Sequence, residues 1–248
     1  MPRFPALVAR AFESRGVPCT VEKIEDLSPS FRRLHLRGEG LRGHVWTPCQ
    51  VTSFRVTPTE FRHYTPDAFD AEQGTMSILF YRHHTGAEAG LPPGEAWLSR
   101  LETGDRVIPS LPACARGFRP AADAGGYLVF GDGTTVGLWH SLIQWTGVPV
   151  TGAVEVPEGE REPAGELLPG LEVLPERERP GEALLAWVEA GGAEAAGLGG
   201  ERAGAYRAYL SGHGQTIQRL RTLLRERHGL SRAAVSTQPY WATGKAGL

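Results

Sequence analysis

"GYLVFGDGTTVGLWHSLIQW", residues 126–145, contains a short apolar strand, a turn and a segment whose apolar residues have helical spacing. A second apolar stretch, "VPVTGAVEV" at 148–156, follows almost at once. A strand, a helix and a strand over about 30 residues form a βαβ unit, and such units build a parallel sheet with helices on its faces. The sequence therefore predicts a C-terminal α/β domain.

The rest of the C-terminal half extends this domain. Strands are predicted at 205–212 and 233–241, with a helix over 215–229 between them. Apolar residues recur on one face of this helix, and Gly229 is placed to cap its C-terminus. The region 158–204 is rich in Glu, Gly, Ala and Pro, and it predicts surface helices and loops with short regular elements.

The N-terminal half consists of short strands separated by turns. Apolar and polar residues alternate at 31–38, 51–58 and 75–84, which is the period-two pattern of strands with one wet face. A run of such strands with Gly and Pro between them predicts a small antiparallel β-barrel. We expect the barrel domain at 1–118 and the α/β domain at 125–248, with residues 117–126 as the linker.

Composition excludes several classes of protein. The 248-residue chain has a net charge of −2, without the positive excess of a nucleic-acid-binding protein. Its apolar runs are shorter than the roughly 20 residues that span a bilayer, and Arg10 and Arg15 interrupt the N-terminal stretch where a signal peptide is apolar. We expect a cytoplasmic monomer with no membrane insertion.

No metal or hydrolase motif stands out. His83 and His84 are adjacent and would face opposite ways in a strand, and no helical HxxxH pair accompanies them. A protein-bound metal is therefore not expected. A GxSxG nucleophile motif is also absent from the sequence.

The stretch "FRHYTPDAFD", residues 61–70, suits a flat anionic cofactor such as a flavin nucleotide. Arg62 is suited to pair with phosphate oxygens, Tyr64 to pack on the ring or ribityl chain, and Thr65 to hydrogen-bond the ring edge. All three reach one ligand only if the strand bends, which Pro66 favours. The alternative is a strand that ends at a proline, with Arg62 solvated and Tyr64 in the core.

Several motifs in their order along the chain resemble a known family. "FRRLHLRGEGL", "RHYTP", "WLSRLETGDRV" and "YLVFGDGTTVGLWHSL" are followed by "AYLSGHG" and "YWATG". Together they resemble the siderophore-interacting proteins, FAD-dependent ferric-siderophore reductases related to ferredoxin-NADP reductases. The resemblance implies a flavin barrel before a nicotinamide-binding domain, with FAD, NADH or NADPH, and a ferric siderophore as substrate.

The resemblance assigns further residues to the flavin and the nicotinamide. His83, Ala96 and Trp97 match the flavin-diphosphate segment, although a plain polar loop is the alternative. Gly131, Asp132 and Thr134 would border the nicotinamide pocket, and the alternative there is a tight turn with Thr134 as the helix N-cap.

The resemblance also leads to a substrate-binding prediction. Arg221, Arg225 and Lys245 would attract an anionic partner, either the phosphates of the nicotinamide cofactor or a ferric siderophore, and the alternative is an ordinary solvated face. The predicted site residues are therefore Arg62, Tyr64, Thr65, His83, Ala96, Trp97, Gly131, Asp132, Thr134, Arg221, Arg225 and Lys245.

The chain departs from the family pattern at cofactor-facing motifs. Asp67 stands where the family has a second arginine, and a carboxylate there repels a diphosphate unless Arg55 or Arg82 compensates. "GDGTT" replaces "GDETA", and "GHG" replaces "GEA". Two further hypotheses follow: a non-catalytic relative that binds a siderophore or iron complex, and an electron-transfer reductase that serves a protein partner.

Overall fold

The computed structural model describes residues 5–82, 90–114, 118–199 and 203–245. The chain divides into two compact units, Met1–Ala115 and Arg116–Leu248. The first is built on antiparallel sheets and the second on one parallel sheet. This confirms the predicted fold class, in which an antiparallel domain precedes an α/β domain.

The first unit contains two helices and eight strands among its described residues. The helices are α1 (Ala6–Glu13) and α2 (Pro93–Leu98), and the strands are β1 (Cys19–Asp26), β2 (Phe31–Arg37), β3 (Gln50–Arg55), β4 (Phe61–Tyr64), β5 (Pro66–Asp70), β6 (Thr75–Tyr81), β7 (Arg106–Val107) and β8 (Ala113–Cys114). They form a five-stranded sheet in the order β5-β6-β2-β1-β7 and a three-stranded sheet in the order β4-β3-β8.

The predicted period-two pattern is confirmed in β2, whereas β6 is buried on both faces from Met76 to Phe80 and has no wet face. Leu34 and Leu36 of β2 pair with Ile78 and Met76 of β6, and all four side chains are buried. On the other sheet Phe54 is buried in the same apolar cluster. Alternation decides which face is buried because successive strand residues point to opposite sides.

The second unit contains four helices and five strands among its described residues. The helices are α3 (Val136–Trp145), α4 (Arg161–Leu167), α5 (Glu182–Glu189) and α6 (Gly214–His228), and the strands are β9 (Gly126–Asp132), β10 (Val150–Val156), β11 (Glu172–Pro175), β12 (Tyr206–His213) and β13 (Val235–Trp241). All neighbouring strands are parallel, in the order β11-β10-β9-β12-β13.

The glycine at the end of the predicted helix correctly located the C-terminus of α6. Gly229 caps α6 in the left-handed conformation with φ 65°, as predicted.

In the segment predicted as a linker, Phe118 packs edge-on against Tyr209 at a ring-centroid distance of 5.4 Å. Phe118 is therefore part of the second unit's packing, whereas the predicted domain bounds had assigned it to the first.

No helix in the described parts of the chain is long and apolar enough to cross a membrane.

Candidate functional site

Thr65 lies where the chain leaves one sheet of the first unit for the other. β4 ends at Tyr64 and pairs with β3, whereas β5 begins at Pro66 and pairs with β6. Thr65 between them is 7% exposed. The bend that the sequence required for Arg62, Tyr64 and Thr65 to serve one ligand is thus present as a change of sheet.

Arg62 is a half-buried cation with no carboxylate partner. Its Nη1 donates to the carbonyl oxygen of Phe61 at 2.9 Å, and none of the ion pairs among the described residues includes it. Arg55 and Arg82, by contrast, pair with Glu13 and Glu95. Arg62 therefore keeps guanidinium donors for an external anion.

Tyr64 packs within the aromatic core of the first unit. Its ring lies 4.4 Å from Phe80 and 6.1 Å from Phe54, centroid to centroid. Burial raises the pKa of its hydroxyl above the usual range, so Tyr64 stays protonated at neutral pH. Its packing matches the alternative in which this side chain belongs to the core.

The α2 segment contributes packing and a carboxylate. Trp97 lies 5.0 Å from Phe54 between ring centroids and joins the same aromatic core, and Ala96 is half-buried beside it. Glu95 in the first turn of α2 is buried, and its Oε1 lies 3.3 Å from Arg82 Nε. His83, the remaining residue predicted for this segment, lies outside the described residues.

Asp67 is an internal ion-pair partner. The β5–β6 register shifts between Pro66 and Ala68, and the extra residue is Asp67, which is 2% exposed. Its Oδ1 accepts a hydrogen bond from Ser77 Oγ at 2.7 Å, and its Oδ2 lies 2.8 Å from Arg33 Nε. The Asp67 charge is therefore neutralised within the unit, which weakens the predicted repulsion of a diphosphate.

The carboxyl ends of β9 and β12 form the switch point of the parallel sheet. In chain order the five strands run 3-2-1-4-5, so the direction of winding reverses between these two neighbours. Open α/β sheets bind ligands in the crevice outside such a point. Gly131 and Asp132 end β9, and Gly212 and His213 end β12.

Four donors satisfy the Asp132 carboxylate. Oδ1 accepts from the backbone N–H of Thr134 at 3.0 Å and from the Thr134 hydroxyl, and Oδ2 accepts at 2.8 Å from both His213 N–H and Trp241 Nε1. Asp132, rather than Thr134, caps the turn that leads into α3. Asp132 thus organises the crevice from inside.

Close packing explains the glycines at this point. A Cβ on Gly131 would lie 2.0 Å from Thr135 Oγ1, and one on Gly212, whose φ is 99°, would lie 2.4 Å from Asp132 Oδ2. Neither position accepts a side chain without displacement of the Asp132 network.

Residues 124–244 match the family model described as siderophore-interacting protein. The match covers most of the second unit, which therefore resembles the siderophore-interacting protein family. A comparison with curated protein sequences found no match.

Solved structures of siderophore-interacting proteins and of a ferredoxin-NADP+ reductase have the same fold. The siderophore-interacting protein of Acinetobacter baumannii is 20% identical, with a TM-score of 0.72 over 93% of this chain and 92% of that one. The siderophore utilization protein of T. fusca is 20% identical, with a TM-score of 0.70 over 93% and 94%. The ferredoxin-NADP+ reductase of Plasmodium falciparum is 13% identical, with a TM-score of 0.71 over 91% and 96%.

His213 was missed in the sequence analysis. Its ring lies 4.3 Å from Trp241, its Nδ1 is 2.7 Å from Thr216 Oγ1, and its Nε2 is 3.0 Å from Thr243 Oγ1. Burial lowers the pKa of His213, and the negative charge of Asp132 offsets part of this decrease. The available signal was a polar residue between two glycines at the carboxyl end of a predicted strand.

A buried carboxylate on β10 was also missed. Glu155 is 3% exposed, accepts a hydrogen bond from the Gly181 N–H before α5, and has one oxygen with no partner among the described residues. Burial raises the pKa of Glu155 to about 7. The negative charges of Asp132 and Glu176 raise this pKa further, whereas the hydrogen bond from Gly181 lowers it. The second unit therefore has a titratable acid beside the switch point.

The predicted substrate-attracting cations are exposed. Arg221 and Arg225 lie on the outer side of α6, and Lys245 follows the end of β13. Among the described residues none of the three forms an ion pair. Their charges are available to an anionic partner or to solvent alike.

The residues of the first unit fit a flavin phosphate in part. Arg62 offers an uncompensated guanidinium near the Thr65 change of sheet, whereas Glu95 places a carboxylate in the adjacent α2 segment. Among the described side chains, no group of three or more His, Cys, Asp or Glu residues is arranged to hold a metal ion.

Proposed function

We propose that this protein is an NAD(P)H-dependent FAD oxidoreductase that reduces ferric siderophores and so releases iron(II). The observation that supports this most is Arg62, a half-buried cation without a carboxylate partner beside the change of sheet at Thr65. A buried cation without an internal counterion is unfavourable unless a ligand supplies the negative charge.

The first unit would bind the flavin. Arg62 would pair with phosphate oxygens, Thr65 would hydrogen-bond the ring edge, and Tyr64 with Trp97 would support the wall behind it. A bound flavin accepts a hydride and passes on electrons singly, which is the chemistry needed between a nicotinamide and iron(III).

The second unit would bind NADH or NADPH at its switch point. Gly131 and Gly212 let Thr135 and the Asp132 carboxylate pack closely at this edge of the sheet, and Asp132 fixes the turn at Thr134. The Trp241 ring, which donates to the Asp132 carboxylate, and the His213 ring, whose nitrogens contact Thr216 and Thr243, would form one side of the crevice.

The iron complex would arrive as substrate. Siderophores hold iron(III) through hard oxygen donors, and the lower charge of iron(II) weakens that binding. Arg221, Arg225 and Lys245 would raise the local concentration of an anionic complex through a salt-dependent attraction.

A visible absorption spectrum tests this function first. The purified protein is measured before and after FAD is added and free dye is removed. Flavin bands that bleach anaerobically with NADH or NADPH, and turnover of a small ferric chelate without any added protein, are the expected results. Absence of flavin binding at excess FAD would contradict the proposal.

A non-catalytic siderophore binder is the second candidate, and Glu95 favours it. A buried carboxylate close to Arg62 opposes a flavin phosphate. A colourless protein that binds a ferric siderophore but neither flavin nor nicotinamide would match this alternative.

A further inference from the structure

Glu95 has an oxygen that the described part of the chain leaves without a donor. Its side chain is 7% exposed, Oε1 lies 3.3 Å from Arg82 Nε, and Oε2 is buried with no hydrogen-bond partner among the described residues. A buried carboxylate oxygen in this state is unfavourable and attracts any nearby cation. Glu95 is therefore only half compensated by Arg82.

Glu95 and Arg62 both lie near Tyr64. A Cβ on Gly94, the residue before Glu95, would lie 2.5 Å from the Tyr64 hydroxyl and 3.6 Å from Arg62 Cγ. Besides the dominant effect of burial, the Arg62 charge lowers the pKa of Tyr64 and the Glu95 charge raises it. The guanidinium and the carboxylate thus both lie close to the Tyr64 hydroxyl.

The other nearby cations are already neutralised. Arg82 pairs with Glu95 and Arg33 pairs with Asp67. An anion bound at Arg62 therefore meets one unpaired guanidinium together with a half-compensated carboxylate.

We propose that Glu95 competes with the flavin phosphate for Arg62 and Arg82, so that this protein holds its flavin loosely and exchanges it with the solution. This inference rests on the proposed flavin-dependent function. It makes Glu95 a determinant of flavin affinity, through charge, without contact with the reacting atoms.

The test is a binding titration that does not depend on turnover. FAD and FMN are titrated separately into the wild-type protein, Glu95→Gln and the control Glu102→Gln, with flavin fluorescence as the readout. Glu102 is an exposed acid of the same unit. We expect Glu95→Gln to lower the Kd at least tenfold at low salt, the difference to shrink at 0.5 M salt because screening shortens the reach of charge, and Glu102→Gln to match the wild type.

Arg82→Gln is a second variant, and its expected effect on the flavin Kd is opposite to that of Glu95→Gln. Loss of this partner leaves the Glu95 carboxylate uncompensated, so the Kd should rise, and circular dichroism verifies that each variant is folded. If Glu95→Gln lowers the Kd for FMN and for FAD equally, Glu95 competes at the phosphate nearest the ribityl chain. If the Kd falls for FAD alone, Glu95 competes at the adenylate phosphate.

Failure of this inference is distinguishable from failure of the proposed function. A wild-type protein that retains flavin through gel filtration, with a Kd unchanged in Glu95→Gln, overturns the role of Glu95 and leaves the flavin function intact. If neither the wild-type protein nor any variant binds FAD or FMN, both proposals fall.

Discussion

The indole nitrogen of Trp241 donates a hydrogen bond to the Asp132 carboxylate at 2.8 Å, and so ties the edge strand β13 to the central strand β9 across β12. The same oxygen accepts the His213 N–H. One carboxylate thus connects three strands at the edge where a ligand would bind.

Asp132→Ala should cost about 2–4 kcal/mol of unfolding free energy, because it leaves the buried His213 N–H and three partly buried donors without an acceptor. Urea denaturation measures this, with Asp123→Ala, which removes an exposed acid, as a control that changes little. In a double-mutant cycle with Trp241→Phe we expect a coupling of about 1 kcal/mol. Additive effects would contradict the shared hydrogen bond.

Gly131→Ala should destabilise the second unit by more than about 2 kcal/mol, since the new Cβ would lie 2.0 Å from Thr135 Oγ1 and 2.8 Å from Trp139 Nε1. Gly159→Ala is the matched control, because nothing lies within 4 Å of a Cβ there. Thermal unfolding of both variants checks the prediction. Equal melting temperatures would show that the packing at Gly131 is looser than described.

Asp67→Asn should cost about 3–5 kcal/mol, because it leaves the Arg33 guanidinium buried without a counterion. Asp26→Asn, which breaks the more exposed pair with Arg32, should cost no more than about 1 kcal/mol. The double variant Asp67→Asn, Arg33→Gln should recover part of the loss. If Asp67→Asn leaves stability unchanged and tightens flavin binding, the carboxylate faces the cofactor instead.

Glu155 should make stability fall as the pH rises from about 5 to about 8. Its pKa is raised from 4.5 to about 7 in the folded protein, so over this range the unfolded state binds fewer protons than the folded state. The loss is at most about 3 kcal/mol. Glu155→Gln keeps an acceptor for the Gly181 N–H and should flatten this part of the profile, whereas Glu172→Gln, at an exposed acid, should not.

Arg221→Gln combined with Arg225→Gln should raise KM for an anionic ferric chelate roughly threefold to tenfold at low salt with kcat unchanged, because steering acts before chemistry. The difference should disappear at 0.5 M salt. Arg100→Gln, at an exposed arginine of the first unit, is the control. An unchanged KM would mean that these arginines are only a solvated face.

Much of the fold could be predicted because its signals are local. The alternation around Leu34 and the strand–turn–helix at Gly131 each lie within one short window, and their periods differ between strand and helix. The motif at Arg62 was likewise visible, together with the bend that Pro66 favours. The position of Tyr64 could not be predicted, because an aromatic residue in a short motif is equally compatible with a ligand contact and with the hydrophobic core.

The sequence by itself determined the order of the elements and the buried face of strands such as β2, because these follow from residue type and spacing. Only the tertiary structure decided which charges are free. Asp67 is neutralised by Arg33 and Arg82 by Glu95, whereas Arg62 has no such partner among the described residues. The pairing of Asp67 with Arg33 depends on the register of three strands, and no local pattern in the sequence encodes which carboxylate reaches which guanidinium.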